Sequence, residues 1–161
     1  MFALTLNIKA QVKTPNWSDA PSVVSATLGY TSLDYEFSSS MIEAGVDASW
    51  KFLYIGGSFA FGSKDGVTES ASNLKIGGAL PIPMQNGKYI IVNPYLVISA
   101  TDYKLAGYTE SDLGLGPGVK VSYVLPSNWV VGAFFQQPYS TDDHCMNTMN
   151  TTLGLSVGYR F

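Results

Sequence analysis

Counting back from the end of the chain, every second residue is apolar: Phe161, Tyr159, Val157, Leu155 and Leu153. Arg160, Gly158, Ser156, Gly154 and Thr152 alternate with them. A period of two marks a β-strand with two unlike faces. The same alternation runs through most of the chain. FALTLNIKAQVK sets Phe2, Leu4, Leu6, Ile8, Ala10 and Val12 against Thr5, Asn7, Lys9, Gln11 and Lys13. VVSATLGYTSLDYEF alternates with a phase slip near Thr31, which predicts a β-bulge there. MIEAGVDASWKF opposes Ile42, Ala44, Val46, Ala48, Trp50 and Phe52 to Glu43, Gly45, Asp47, Ser49 and Lys51. The phase flips at Leu53, so a tight turn is expected there.

Further strands are predicted in LYIGGSFAFG, NLKIGGALPI, YIIVNPYLVISAT, DLGLGPGVKVSYVL and WVVGAFFQQPY. In the fourth of these, Leu113, Leu115, Pro117, Val119, Val121 and Tyr123 face away from Asp112, Gly114, Gly116, Gly118, Lys120 and Ser122. The pattern leaves the facing of WVVGAFFQQPY open. From about residue 22 onward this makes eight strands. Short turns near Trp50–Leu53, PMQNG and PSN alternate with longer polar loops at SSS, SKDGVTESA, DYKLAGYTE and STDDHCMNTMN. Short turns at one end and longer loops at the other are the habit of outer-membrane barrels. The chain reads as one domain, residues 1–161, with the barrel in 22–161. Residues 1–21 form a segment of open placement, and residues 2–13 could raise the strand count to nine or ten.

Composition narrows the class. Charged residues are 13% of the 161, about half the usual share, while 46% are hydrophobic and 16 residues are glycine. So few charges suit a surface that something other than water covers. No apolar run reaches the roughly 18 residues of a membrane helix. MFALTLNIKAQ lacks the apolar core of a secretion signal. An export signal, if the protein uses one, is therefore expected to have been removed. A net charge of −3 without a basic stripe gives no reason to expect nucleic acid. The single Cys145 excludes an internal disulfide.

The inside of the barrel follows from the chemistry of the two faces. The polar face is rich in glycine, serine and threonine, which suit the crowded interior of an eight-stranded barrel. It carries Glu43, Asp47 and Asp112 against Lys75, Lys120 and Arg160, three of each sign. Such charges can pair in a dry lumen, as buried charges must. On a soluble sheet they would simply be solvated. Aromatic residues weigh between these readings. Trp50, Phe52, Tyr89, Tyr123, Trp129, Tyr159 and Phe161 fall near the short turns. Tyr30, Tyr35, Phe37, Phe61, Tyr103, Tyr108 and Tyr139 fall near the long loops. Two aromatic belts match the two interfaces of a bilayer. The expected fold is therefore all-β: an antiparallel, up-and-down transmembrane β-barrel with its apolar face in lipid.

The terminal GLSVGYRF resembles the closing strand of bacterial outer-membrane proteins, with Phe161 last and Tyr159 two positions before it. The segments GYTSLDYEF, VNPYLVISA and LGLGPGVKVSY extend the likeness to small Ail/OmpX-type and OmpA-like barrels. The resemblance implies the bacterial outer membrane, with a lipid bilayer and lipopolysaccharide as surroundings. It implies that Tyr159 and Phe161 serve as a signal for the barrel-assembly machinery, and that the protein is a monomer. Adhesin-like members of this class bind through exposed loops, and with few groups able to do catalysis the expectation is a non-enzymatic protein, either binding through its surface loops or stabilising the membrane.

Loop chemistry leaves three further readings. Lys64, Asp65 and Glu69, then Asp102, Lys104 and Glu110, then Asp142 and Asp143 make short, mildly acidic loops. That balance disfavours polyanions as partners, while Tyr103, Tyr108, Leu105 and Met146 offer contact area to a host surface or matrix ligand. His144 is the only histidine, so a lipid-modifying Ser140/Asp142/His144 grouping is conceivable but has nothing to orient the imidazole. Asp142, Asp143, His144 and Cys145 are contiguous, unlike the spaced ligands of known zinc patterns. No cofactor is expected. A narrow, porin-like channel is the alternative function, and it requires an open lumen.

Overall fold

The computed structural model describes residues 21–32, 40–64, 66–84, 88–105, 107–141 and 151–161. Alternating side chains with many β-branched and aromatic members favour extended backbone, and ten strands form among the described residues. They are β1 (Val23–Ser32), β2 (Ser40–Trp50), β3 (Leu53–Lys64), β4 (Val67–Gly78), β5 (Leu80–Pro83), β6 (Tyr89–Leu105), β7 (Tyr108–Val124), β8 (Trp129–Gln136), β9 (Tyr139–Ser140) and β10 (Thr151–Arg160). All their pairings are antiparallel. β5 continues β4 along β6 in the same register, and β9 continues β8 along β7. The eight remaining strands close into a barrel through the β1–β10 pairing. The N-terminal stretch of residues 2–13 lies outside the described residues.

The register fixes how wide the barrel is. A row of partners runs Val23–Ser49–Tyr54–Gly77–Tyr95–Gly118–Gln136–Thr152 and returns to β1 at Thr31. The row thus climbs from Val23 to Thr31, a shear of eight residues on eight strands. That is the stagger of a barrel whose interior is filled by side chains. Glycine makes the filling workable at the tightest points. A Cβ on Gly118 would collide with the Tyr95 ring, and one on Gly154 would collide with the Phe134 ring. Gly118→Ala is therefore expected to cost about 1–3 kcal/mol by overpacking, read as a lower urea midpoint for folding in vesicles.

The outward positions carry the apolar band. Val24, Leu28, Ile42, Val46, Ile55, Phe59, Leu74, Ile76, Leu96, Leu115, Val121, Leu155 and Val157 are all exposed. On β7 the band runs from Leu113 to Tyr123, and on β6 from Val92 to Ala100. A tilted strand needs about 9–11 residues to cross a bilayer, so these stretches fit. β8 resolves the face that the sequence left open. Trp129, Val131, Ala133 and Phe135 point out, while Val130, Phe134 and Gln136 are buried.

Four expectations are corrected. β1 keeps unbroken register with both neighbours from Val23 to Ser32, so no bulge forms among the described residues of this strand. SKDGVTESA and DYKLAGYTE are not open loops; the ladders run on to the pairs Lys64↔Val67 and Leu105↔Tyr108. Gly66 and Gly107 take positive φ, 83° and 91°, which a two-residue reversal needs and a side chain would resist. Glu69 is buried rather than a loop residue, since the extended ladder keeps it on the inner face. Tyr89 packs against buried Val23, Ala79, Ile91, Val124 and Val130, so it plugs the lumen instead of joining the belt.

Candidate functional site in the barrel lumen

Inward positions on all eight barrel strands meet in one polar layer. Asp47 on β2 accepts from the Lys120 ammonium at 2.6 Å and from Ser25 Oγ at 2.5 Å, both on Oδ1. Lys120 also donates to Ser25 Oγ at 2.5 Å, and Tyr54 OH reaches Asp47 Oδ2 at 3.0 Å. One turn of the strand pattern above, Glu43 forms the second centre. Its Oε1 accepts from Lys75 at 2.8 Å. Its Oε2 accepts from Gln136 at 2.9 Å, Asn73 at 3.1 Å and Thr152 at 3.4 Å.

The two centres are joined by aromatic residues. Tyr54 and Tyr95 lie with ring centroids 5.2 Å apart, and Tyr95 OH donates to Gln136 Oε1 at 3.3 Å. The Lys75 ammonium also sits 4.5 Å from the Phe134 ring centroid, a favourable place for a cation. Glu43 is 0% and Lys75 1% exposed. At such burial a charge must be paired and its remaining hydrogen bonds filled. Both carboxylates meet that condition.

Apolar layers bound this region. Val23, Ala79, Ile91, Val124 and Val130 close the short-turn end. Met41, Ala60 and Ala71 pack on the other side, towards the external hairpins.

Two of the six expected lumen charges stay outside the network. Arg160 does not meet Glu43, Asp47 or Asp112. It lies at the rim, where Nε and Nη2 donate to Asn128 Oδ1 at 2.9 and 2.6 Å, and its backbone N–H donates to Asn128 O at 2.9 Å. The last inward position of a strand is simply too low to reach the middle of the barrel. Asp112 sits too high, beside the external hairpins, and accepts from Ser140 Oγ at 3.0 Å. Asp142, Asp143, His144 and Cys145 lie outside the described residues, as does Asp65. Tyr103 is half-buried, and Lys104 and Tyr108 are exposed at the tip of the β6–β7 hairpin.

Sequence reasoning missed Tyr54, Asn73, Tyr95, Gln136 and Thr152. Asn73 had a usable signal, since it stands two residues from Lys75 and so shares its face. Tyr95 had none, because β6 carries large apolar side chains on both faces; Tyr54 stands as the one large side chain in phase with Gly56, Ser58, Ala60 and Gly62 on β3. At the C-terminus, the rings of Trp129, Tyr159 and Phe161 form an outward ladder, with centroids 6.0 and 5.5 Å apart.

The family model for the outer membrane protein β-barrel domain matches residues 2–161. The chain belongs to that family. It is an integral β-barrel of the bacterial outer membrane. Among solved structures it is similar to Neisserial surface protein A, with a TM-score of 0.58 and 13% identity over 88% of this chain and 96% of that one. The N-terminal barrel of Pseudomonas aeruginosa OprF gives 0.58 and 13%, over 86% and 97%. Ail of Yersinia pestis, the attachment invasion locus protein, gives 0.52 and 13%, over 88% and 97%. At these identities the likeness is one of fold. No curated protein matches the chain in sequence.

Proposed function

We propose that this barrel is non-enzymatic and non-conducting, and that it acts by binding through its external hairpins, as an adhesin does at a host surface or matrix. The observation that carries this reading is the length of β6 and β7, 17 residues each. About 9–11 residues suffice to cross the bilayer. The surplus stands clear of the membrane as a paired, rigid hairpin with Tyr108, 83% exposed, at its tip. A stiff platform with an exposed tyrosine loses little entropy on binding.

The lumen supports the non-conducting part. Paired charges lie between two apolar layers, which an ion would have to cross without its water. The same closed, cross-linked interior is the observation that favours a membrane-stabilising role as the second reading. Insertion by the barrel-assembly machinery through Tyr159 and Phe161, a monomeric state and lipopolysaccharide surroundings belong to the same proposal.

The test is binding of labelled, vesicle-reconstituted protein to host cells and to matrix proteins. Replacing residues 102–111 by a two-residue turn should abolish binding, and Tyr108→Ala should weaken it roughly tenfold or more. Binding indifferent to both changes would leave the stabilising role. Steady single-channel steps in a planar bilayer would overturn the closed lumen.

A further inference from the structure

β10 is the strand that its connections place least. The turns β2–β3, β3–β4, β6–β7 and β7–β8 span four residues or fewer, and tight turns fix register. β9 ends at Ser140 and β10 begins at Thr151, while β1, which closes the barrel against it, is the first described strand. Among the described residues, side-chain hydrogen bonds tie β10 only at its two ends. At the top the hydroxyls of Thr152 and Thr31 share a bond of 2.9 Å, and Thr152 also reaches Glu43. Lower down, Gly154 and Gly158 have no side chain to offer. The facing hydroxyls of Thr27 and Ser156 pair with no group of the protein.

The low end is held from both sides. Arg160 Nε and Nη2 converge on Asn128 Oδ1 at 2.9 and 2.6 Å, and the Arg160 N–H donates to Asn128 O at 2.9 Å. On the opposite edge the Phe161 N–H donates to the carbonyl of Ser22, just before β1, at 3.0 Å. Asn128 stands in the β7–β8 turn with φ 67°, its own N–H donating to Leu125 O at 3.0 Å. The two external hairpins meet the same backbone need with Gly66 and Gly107. Asparagine is among the few residues with a side chain that are at ease there. What it adds over glycine is the acceptor that Arg160 uses.

We propose that Asn128 and Arg160 form a latch on the seam between β10 and β1, and that opening of the barrel starts with its release. The seam joins the strands farthest apart along the described chain, so its closure carries the largest loop-closure cost. A strand end is where a ladder frays first, and a two-donor contact from a charged group is stronger there than a neutral hydrogen bond. The contact exists only when β10 lies between the β7–β8 turn and β1. It therefore slows opening and contributes nothing before closure. The latch acts on the barrel's own closure and holds whatever the external hairpins meet.

The experiment uses the full chain refolded from urea into phospholipid vesicles. Amide exchange is read by mass spectrometry, and unfolding and refolding rates by heat-modifiable mobility. Asn128→Gly keeps the positive φ and removes the acceptor. It should speed exchange at Gly158–Phe161 and Val23–Ser25 about tenfold, the worth of one charge-assisted bond. Exchange at Leu53–Ile55, the short-turn end of β3, should not change. Unfolding should quicken by a like factor while the refolding rate stays the same. Arg160→Met should act alike, and the double variant should be no faster than either single one. Asn128→Asp keeps an acceptor oxygen and should exchange no faster than the unaltered chain. Asn128→Gly leaves β10 intact, so it carries the test alone if Arg160→Met impairs insertion. Unchanged exchange in Asn128→Gly, exchange raised equally at β3, or additive effects in the double variant would overturn the proposal.

Discussion

Leu155→Arg should cost about 2–4 kcal/mol of folding free energy in a bilayer. Leu155 lies near the middle of β10 and is 69% exposed. Its neighbours across the sheet are Leu28 and Ala133, so arginine there has no polar group beside it on the lipid face. On the surface of a soluble barrel the same change would be close to neutral, because water would solvate the charge. Val24→Arg is the control. Val24 is also outward-facing but lies at the short-turn end of β1, where the headgroup region can take the charge at about 0–1 kcal/mol. Urea titration of folding into vesicles, followed by heat-modifiable mobility, gives both values. Equal costs at the two positions would mean that the apolar face does not sit in hydrocarbon.

Glu43→Ala has the larger expected effect inside the barrel. It leaves the Lys75 ammonium buried without its counter-charge, a loss of about 3–5 kcal/mol for a broken buried pair. Gln136, Asn73 and Thr152 lose their acceptor in the same step. Adding Lys75→Met removes the stranded charge and should recover part of the stability. Recovery stays incomplete, because each orphaned donor still costs about 1–3 kcal/mol. If Glu43→Ala alone matched the double variant, water would be reaching Lys75, and the lumen would be open rather than dry. Planar-bilayer recordings of Glu43→Ala then give a second reading of the same point.

The faces of the strands were legible in the sequence wherever the two faces differ sharply. In β10, and in β2 and β7 apart from Met41 and Val124 at their ends, lumen positions are small, polar or charged and mid-strand outward positions are apolar, so alternation alone assigns them. It fails on β6, where Ile91 and Val97 point inward although they are as large and apolar as their lipid-facing neighbours. Polar segments mislead in another way. In the upper hairpins polar residues stand on both faces, Glu69 inward between outward Thr68 and Ser70, so SKDGVTESA and DYKLAGYTE lose the apolar–polar alternation while keeping the ladder.

The candidate site was legible as an inventory and not as an arrangement. Glu43, Asp47, Lys75 and Lys120 can be read as lumen charges from phase. Which of them meet cannot be, because Glu43 and Lys75 are 32 residues apart and Asp47 and Lys120 are 73 apart. Their pairing depends on the register of intervening strands, and a shift of one residue at any hairpin would move a charge to the opposite face.

The sequence by itself determined that this chain forms amphipathic strands, that their apolar side suits lipid, and that it closes on an aromatic-ended strand. These are local properties, set by the two-residue period and by what each side chain prefers as a neighbour. Only the tertiary structure decided that the stagger is eight residues, that tyrosine and glutamine link the two ion pairs, and that Arg160 is held at the rim by Asn128. Those outcomes belong to closure. A side chain's height in a barrel is the sum of every register between it and its partner, and no single stretch of sequence contains that sum.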